Sequence, residues 1–413
     1  MNKYAWQEIQ LGDYVDLLSG FAFKSKYFTD NISDIPLVKG ANVHQGYIDW
    51  KKAVRWPKNE YENLEKFHLE TGDVVLAMDR PWIEAGLKYS WIKPNDPKSM
   101  LVQRVSRMRG IKGLSSRYLR YVIGSPQFTN YIKPIVTGIN VPHISGGQIK
   151  DYKFSLPSEK CQDEIANILE PYDNLIENNN RRIAILEDIA QSLYQEWFVK
   201  FCFPGHQKTK FKESSLGFIP EGWEVKAASE VIDIAPKMSL PKEGAKPFVS
   251  MPSISTTSMV IDEIEMREGN SGTKFINGDT LFARITPCLQ NGKTGFVQFL
   301  DELNPIAYGS TEFIVMRSKE LTSEFVYCLA RSDSFRGNAI NSMAGADGRQ
   351  RVKNDCFNSY YLAVSPKTYL EQFSEISTPA FEEVFTLNQK NKNLKKQRDM
   401  LLPKLISGKI KVS

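Results

Sequence analysis

The sequence predicts an α+β protein in which one module, a loop-rich globular region followed by a long helix, is written twice, with the two helices pairing as a coiled coil. Three observations carry this. Matching residues recur at an offset of 206 to 208 positions, two long stretches contain no glycine, and each of those stretches places apolar residues at alternating three- and four-residue spacing. The chain has 413 residues, 41% hydrophobic and 24% charged, which is enough to bury two cores and excludes disorder or a collagen-like chain.

The repeat is clearest at short landmarks. Each half opens near a tryptophan, Trp6-Gln7-Glu8-Ile9 and Trp223-Glu224-Val225, and later turns at Gly-Asp into an apolar strand. These turns are Gly72-Asp73-Val74-Val75-Leu76-Ala77 and Gly278-Asp279-Thr280-Leu281-Phe282-Ala283. A helix-like Ser116 to Tyr121 recurs as Ser323 to Cys328, and glycine-bearing loops follow at Gly138 and Gly345. Beyond them Leu156 falls on Val364, Ile165 on Phe373, Ile168 on Ile376, Pro171 on Pro379, Ile176 on Val384, Leu186 on Leu394 and Leu193 on Leu401. Short β-type runs such as Ile35-Pro36-Leu37-Val38 and Thr294-Gly295-Phe296-Val297, broken by Gly and Pro, give the globular regions their strands.

The helical regions lack glycine between Cys161 and Phe203 and between Val364 and Ser407. Pro171 and Pro379 suit a first helical position, so a helix is expected to restart at each. The first seam reads Tyr172, Ile176, Asn179, Ile183, Leu186, Ala190, Leu193 and Trp197; the second reads Val384, Leu387, Asn391, Leu394, Arg398, Leu401 and Leu405. Charged residues such as Glu177, Arg181, Glu187, Lys390 and Lys395 are expected to face outward, leaving narrow apolar stripes that need a partner. The seam residues Asn179 and Asn391 would fix register at some loss of stability. The expected domains are residues 1–156, a helical region 157–203, a linker and second globular domain 204–364, and a second helical region 365–413.

Charge is uneven. Lys+Arg exceed Asp+Glu by 53 to 48, yet the segment from Leu387 onward alone carries +7, leaving −2 elsewhere, so a polyanion surface has to come from local clustering. The five cysteines and four histidines show neither Cys-x-x-Cys nor His-Glu-x-x-His spacing, so no disulfide frame and no metal site is expected. With no 18-residue apolar run and a polar Met1-Asn2-Lys3-Tyr4 start, the expected location is the cytoplasm. Catalytic look-alikes fail: Asn291-Gly292-Lys293-Thr294 ends like a phosphate loop but has Pro287 where its first glycine belongs, and Ser145-Gly146-Gly147-Gln148 reads as a turn. There is no Pro-Pro pair for an aminomethyltransferase and no Gly-x-Ser-x-Gly. The chain reads as a binder without a catalytic site.

Several segments carry a family resemblance. Leu18-Ser19-Gly20-Phe21-Ala22-Phe23-Lys24-Ser25, the run from Gly278 to Lys293, Tyr308-Gly309-Ser310-Thr311-Glu312-Phe313, and the ending Arg398-Asp399-Met400-Leu401-Leu402-Pro403-Lys404-Leu405-Ile406-Ser407-Gly408-Lys409-Ile410 resemble the specificity (S) subunits of type I restriction-modification enzymes. The resemblance implies two target recognition domains separated by a pair of long antiparallel helices, related by an internal pseudo-two-fold repeat, each domain reading half of a bipartite site on double-stranded DNA. It also implies two modification subunits that use S-adenosylmethionine to methylate adenine, and restriction subunits that use ATP and Mg. Helices of about 25 to 30 residues would hold the globular regions about 40 Å apart.

Side chains that grip bases or phosphates, sitting in loops, are the expected DNA contacts. In the first domain these are Lys24, Lys26, Lys39, Asn42, Arg80, Arg104, Asn140 and His143; in the second they are Arg284, Gln290, Lys293, Arg349, Gln350 and Arg351. A non-catalytic scaffold with two protein-binding ends is the alternative, and a stand-alone nuclease a third reading.

Overall fold

The computed structural model describes residues 6–83, 86–136, 141–346 and 348–412. Its architecture is α+β, with two globular regions of the same topology and two long helices, Glu159–Tyr194 and Lys367–Ile406. The first globular region contains two four-stranded sheets. One orders the strands Arg55–Trp56, Ile35–Val38, Ser99–Leu101 and His68–Leu69, and the other Val15–Ser19, Val105–Gly110, Val74–Ala77 and Tyr89–Trp91. The second globular region repeats both orders, with Glu265–Glu268, Ala245–Val249, Ala307–Gly309 and Thr273–Phe275, then Ile232–Ile234, Phe313–Ser318, Thr280–Ala283 and Thr294–Phe296. Both regions contain a parallel pair, Ile35–Val38 with Ser99–Leu101 in the first and Ala245–Val249 with Ala307–Gly309 in the second. A two-stranded ribbon closes each region onto the start of its helix, Gln7–Gln10 with Lys153–Leu156 and Glu224–Ala227 with Tyr361–Val364.

Residue chemistry repeats with the topology. Val74–Ala77 and Thr280–Ala283 are buried throughout, as expected of central strands covered on both faces. Ser125 and Ser332, both buried, accept from the N–H groups of Phe128 and Phe335 and so cap equivalent helices. Phe128 and Phe335 are in turn fully buried in the two main cores.

The chain divides into two compact units, residues 1–175 with 394–413, and residues 176–393, so the division cuts each long helix. In the first unit Ile165, Ala166 and Leu169 of one helix and Leu402, Leu405 and Ile406 of the other join the core around Tyr118 and Leu119. In the second unit Ile183, Ala190 and Tyr194 join Phe373, Phe381, Val384 and Leu387 around Phe325. Residues 179 and 182 meet 391 and 383 there, so the helices run antiparallel.

The helices do not restart at the prolines. Pro171 and Pro379 lie inside continuous helices that begin at Glu159 and Lys367. A proline removes the hydrogen bond to the carbonyl four residues earlier. Here those carbonyls belong to Asn167 and Glu375, both exposed like the prolines themselves, so water can serve them. The second helix stops at Gly408, whose φ of +68° suits glycine.

Seam residues Ile176, Ile183, Val384 and Leu387 are buried, while Leu186, Leu193, Leu394 and Leu401 are partly buried. Trp197 lies beyond the α-helix, in the π-helical turn Gln195–Val199. Asn179 donates to Asn391 Oδ1 at 2.9 Å, and Asn391 donates to Asn180 Oδ1 at 2.8 Å, satisfying buried amides that would otherwise carry a desolvation penalty.

Glu187 does not face outward. Its Oε1 accepts from Ser258 Oγ at 2.6 Å and from the Met259 N–H at 2.7 Å, because a loop of the second globular region folds over it. Burial pushes this carboxyl above its ordinary range, against the lowering effect of the two hydrogen bonds and Arg331. A carboxyl raised by folding stabilises the fold at low pH, and that contribution is lost as pH rises through the raised value. Glu187→Gln keeps an acceptor and removes the charge, so it is expected to melt at or above the wild-type temperature at pH 7.5. Wild type should catch up as pH falls toward 4; a difference independent of pH would show that ionisation of Glu187 is not the cause.

Candidate nucleic-acid interface

In the first domain the strand ends and loops after Val38, Ala77 and Val102 converge on a cavity of about 490 Å³ lined by Lys39, Arg80, Lys88 and Arg104 with Asp79, Gln103, Phe23, Phe28 and Val141. Three of the expected contacts, Lys39, Arg80 and Arg104, therefore share one cleft. His143 joins them through Asp79, whose Oδ1 accepts from Nδ1 at 2.7 Å and lies 3.5 Å from Arg104 Nη1. Arg80 and Arg104 have φ of +46° and +67°, an uncommon backbone for side chains with a Cβ, and such strain clusters at functional sites. Burial lowers the Lys88 ammonium below its ordinary range, and Arg80 adds to this.

Lys24 and Lys26 are exposed at the short turn Ser25–Tyr27, with the Lys26 ammonium 4.7 Å from the Tyr27 ring. Asn140 falls outside the described residues. Asn42 is not a surface group: it is 2% exposed, its Oδ1 accepts from the Lys39 N–H at 2.8 Å, and its amide donates to the Leu37 carbonyl at 3.2 Å. It braces the loop that presents Lys39, and its own polar atoms are spent on backbone.

In the second domain Arg351 donates from Nε and Nη2 to both oxygens of Glu312 at 2.6 to 3.0 Å. That pair holds the Glu312 carboxyl below its usual range. Gln350 donates its backbone N–H to Thr286 Oγ1 at 3.1 Å. Arg284 is half-buried, and its Nη2 donates to the Val352 carbonyl at 2.9 Å. Gln290 and Arg349 are exposed. Lys293 is half-buried, with its ammonium 2.7 Å from the Met251 carbonyl.

The two interfaces share a floor. The N–H of Met78 donates to the Arg104 carbonyl as that of Arg284 does to Glu312; Ile144 donates to Met78 as Val352 does to Arg284; Arg80 donates to Pro142 as Thr286 does to Gln350. Lys88 donates to the Gly40 carbonyl just as Lys293 donates to Met251. Sequence reasoning selects Lys293 and misses Lys88, Asp79, Thr286 and Glu312. The local offset from Lys88 to Lys293 is 205, and that from Gly40 to Met251 is 211, so loops of unequal length blur the repeat at the site itself. Among the described residues no group of three or more His, Cys, Asp or Glu is placed to hold a metal ion, and no helix is long and apolar enough to cross a membrane.

Two globular regions that repeat one topology and one set of floor hydrogen bonds, and differ in the charged groups that stand on it, mark an internally duplicated protein. Residues 4–188 match the family described as Type I restriction modification DNA specificity domain. The chain is 27% identical over 315 residues to the type I restriction enzyme MjaIX specificity subunit of Methanocaldococcus jannaschii, covering 73% of this chain and 70% of that one. To the EcoAI specificity subunit of Escherichia coli it is 32% identical over 188 residues, 45% of this chain and only 31% of the relative. The fold is that of the crystallised type I S subunit from M. genitalium, with a TM-score of 0.55, 14% identity, and coverage of 98% and 97% of the two chains. Residues 4–188 thus match a type I DNA specificity domain, and over most of its length the chain is similar to type I restriction-modification specificity subunits.

Proposed function

We propose that each head reads one half of a bipartite site on double-stranded DNA, and that the chain thereby directs adenine methylation and restriction carried out by partner subunits. It contributes recognition and no catalysis. Two modification subunits dock on it and bring S-adenosylmethionine; restriction subunits, held through them, use ATP and Mg. The observation that carries this reading is the shared floor with different side chains on it, since two heads of one frame and unlike chemistry suit two unlike half-sites. The cleft at Lys39, Arg80, Lys88 and Arg104 supplies the positive potential in the first head, and the family's relatives are named for specificity.

Two measurements test it. Affinity of the assembled complex for duplex DNA is expected to fall by about three orders of magnitude between 50 and 200 mM salt if roughly six phosphates are contacted. Affinity that barely responds to salt would favour a protein-binding scaffold instead. Methylated DNA from cells carrying the complex is expected to show a two-part motif, and replacing this chain by a relative should change the motif with the same partners.

A further inference from the structure

Because the frame is duplicated, each head reports which positions are scaffold and which vary. Position 143 in the first head corresponds to 351 in the second. Each forms an isolated β-bridge, to Asp79 and to Ile285, and the N–H of the next residue closes the same floor bond. At this position both heads carry a side chain with ring or guanidinium N–H groups, His143 and Arg351, and both are gripped by a carboxylate. The carboxylates come from different places. Asp79 corresponds to Ile285, and Glu312 corresponds to Arg104, so the gripping group has moved from one strand end to another while the gripped position has stayed. A bond whose only task was to tie two loops would keep both anchor points. Here one is kept, and its side chain is accessible in both heads: 28% exposed for His143, beside an Asp79 that is 36% exposed, and 51% for Arg351, beside a Glu312 that is 22% exposed.

We propose that position 143/351 is the base-reading position of each head, with Asp79 and Glu312 as positioning residues. Lys88 and Lys293, identical in type and in acceptor, belong to the frame and are indifferent to sequence. This rests on the DNA-reading function proposed above. Glu312 engages the Nε side of the Arg351 guanidinium, which leaves the Nη1 to Nη2 edge for a bidentate pair with O6 and N7 of guanine in the major groove. The second half-site therefore contains a guanine read by Arg351. In the first head Asp79 takes Nδ1 of His143 and leaves Nε2 as the ring's other polar atom, so a single hydrogen bond reads one base there.

The test is the methylation motif written by the complex of the full chain with its partner subunits on a library of random DNA. Arg351→Lys keeps the charge and loses the fork, so it is expected to lower the preference for guanine at one position roughly 5- to 150-fold while leaving the other half-site unchanged. Glu312→Gln should weaken preference at that same position, with partial rescue by Glu312→Asp. His143→Gln should alter one position of the opposite half-site. An unchanged motif, or an even loss of methylation across all sequences, would overturn the assignment and mark Arg351 as a loop tie or phosphate contact. If Arg351→Lys fails to assemble, Arg351→Gln carries the same test at this exposed site. A wild-type complex that writes no two-part motif would instead defeat the DNA-reading function itself.

Discussion

Replacing Arg398 by Ala is expected to lower the stability of the unit formed by residues 1–175 and 394–413 by about 3–5 kcal/mol, because it strands a buried carboxylate. Asp173 is 9% exposed; its Oδ1 accepts from Arg398 Nη1 and its Oδ2 from Tyr121 Oη, both at 2.8 Å. Arg120 stacks 4.5 Å from the Trp91 ring and 4.7 Å from Tyr121. Burial works against the Arg398 charge, but Asp173 and Asp399 together outweigh it and raise its pKa. The same burial pushes the neighbouring Tyr89 hydroxyl up to about 12.

The other half of the molecule supplies the control for this experiment. Its equivalents of Trp91, Arg120, Asp173 and Arg398 are Phe296, Tyr327, Phe381 and Ala190, and the three rings pack 4.9 to 5.9 Å apart in place of the ion pair. Breaking a buried pair and replacing it whole have opposite consequences. Transplanting the aromatic set by the joint changes W91F, R120Y, D173F and R398A is therefore expected to recover most of what Arg398→Ala alone loses. Denaturant unfolding followed by the fluorescence of this unit measures both. Equal destabilisation by the single and the joint replacement would mean that the cluster matters for packing shape and not for charge.

The cluster also marks how far sequence reading reaches. The repeat, the two glycine-free helices and the Gly-Asp turns are legible because backbone demands recur: a positive φ at Gly72 and Gly278, buried runs after them, and helix without interruption. Arg398 is visible as an odd residue in an apolar seam, but Asp173, Tyr121 and Arg120 are scattered along the chain and only packing joins them. The same limit governs the interface. Asn42 and Arg80 are both polar loop residues, yet one is braced against backbone and the other lines the cleft, and nothing local separates them. Glu187 reads as an outward heptad position until a distant loop covers it. Pro171 and Pro379 mislead because propensity penalises the missing bond without seeing that solvent lies on that face.

Asp73 and Asp279 are the second pair of residues whose removal is expected to be severe, about 3–5 kcal/mol each for Asp→Ala. Both lie almost wholly inside, at 2% and 1% exposure. Each accepts two bonds from one guanidinium, Arg109 Nε and Nη2 at 2.5 and 3.0 Å and Arg317 Nε and Nη2 at 2.8 and 2.7 Å, and each takes a further bond from the turn that precedes it, from the N–H of Glu70 or Ile276 at 2.8 Å. The aspartate thus closes a glycine turn, accepts an N–H of that turn, and binds the central strand to its neighbour. Alanine removes the acceptor of all three donors, although Arg109 Nη2 keeps Glu70 Oε1 at 3.3 Å, whereas Asn keeps one carbonyl oxygen and is expected to cost less. Hydrogen exchange in the strands Val74–Ala77 and Thr280–Ala283 resolves the two sites: Asp73→Ala should lose protection in the first strand and Asp279→Ala in the second. These strands also carry the floors beneath Arg80 and Arg284, so the same substitutions are expected to blur the DNA motif in one half-site each. Loss of protection without any change of motif would separate the fold of the strand from the reading of the base.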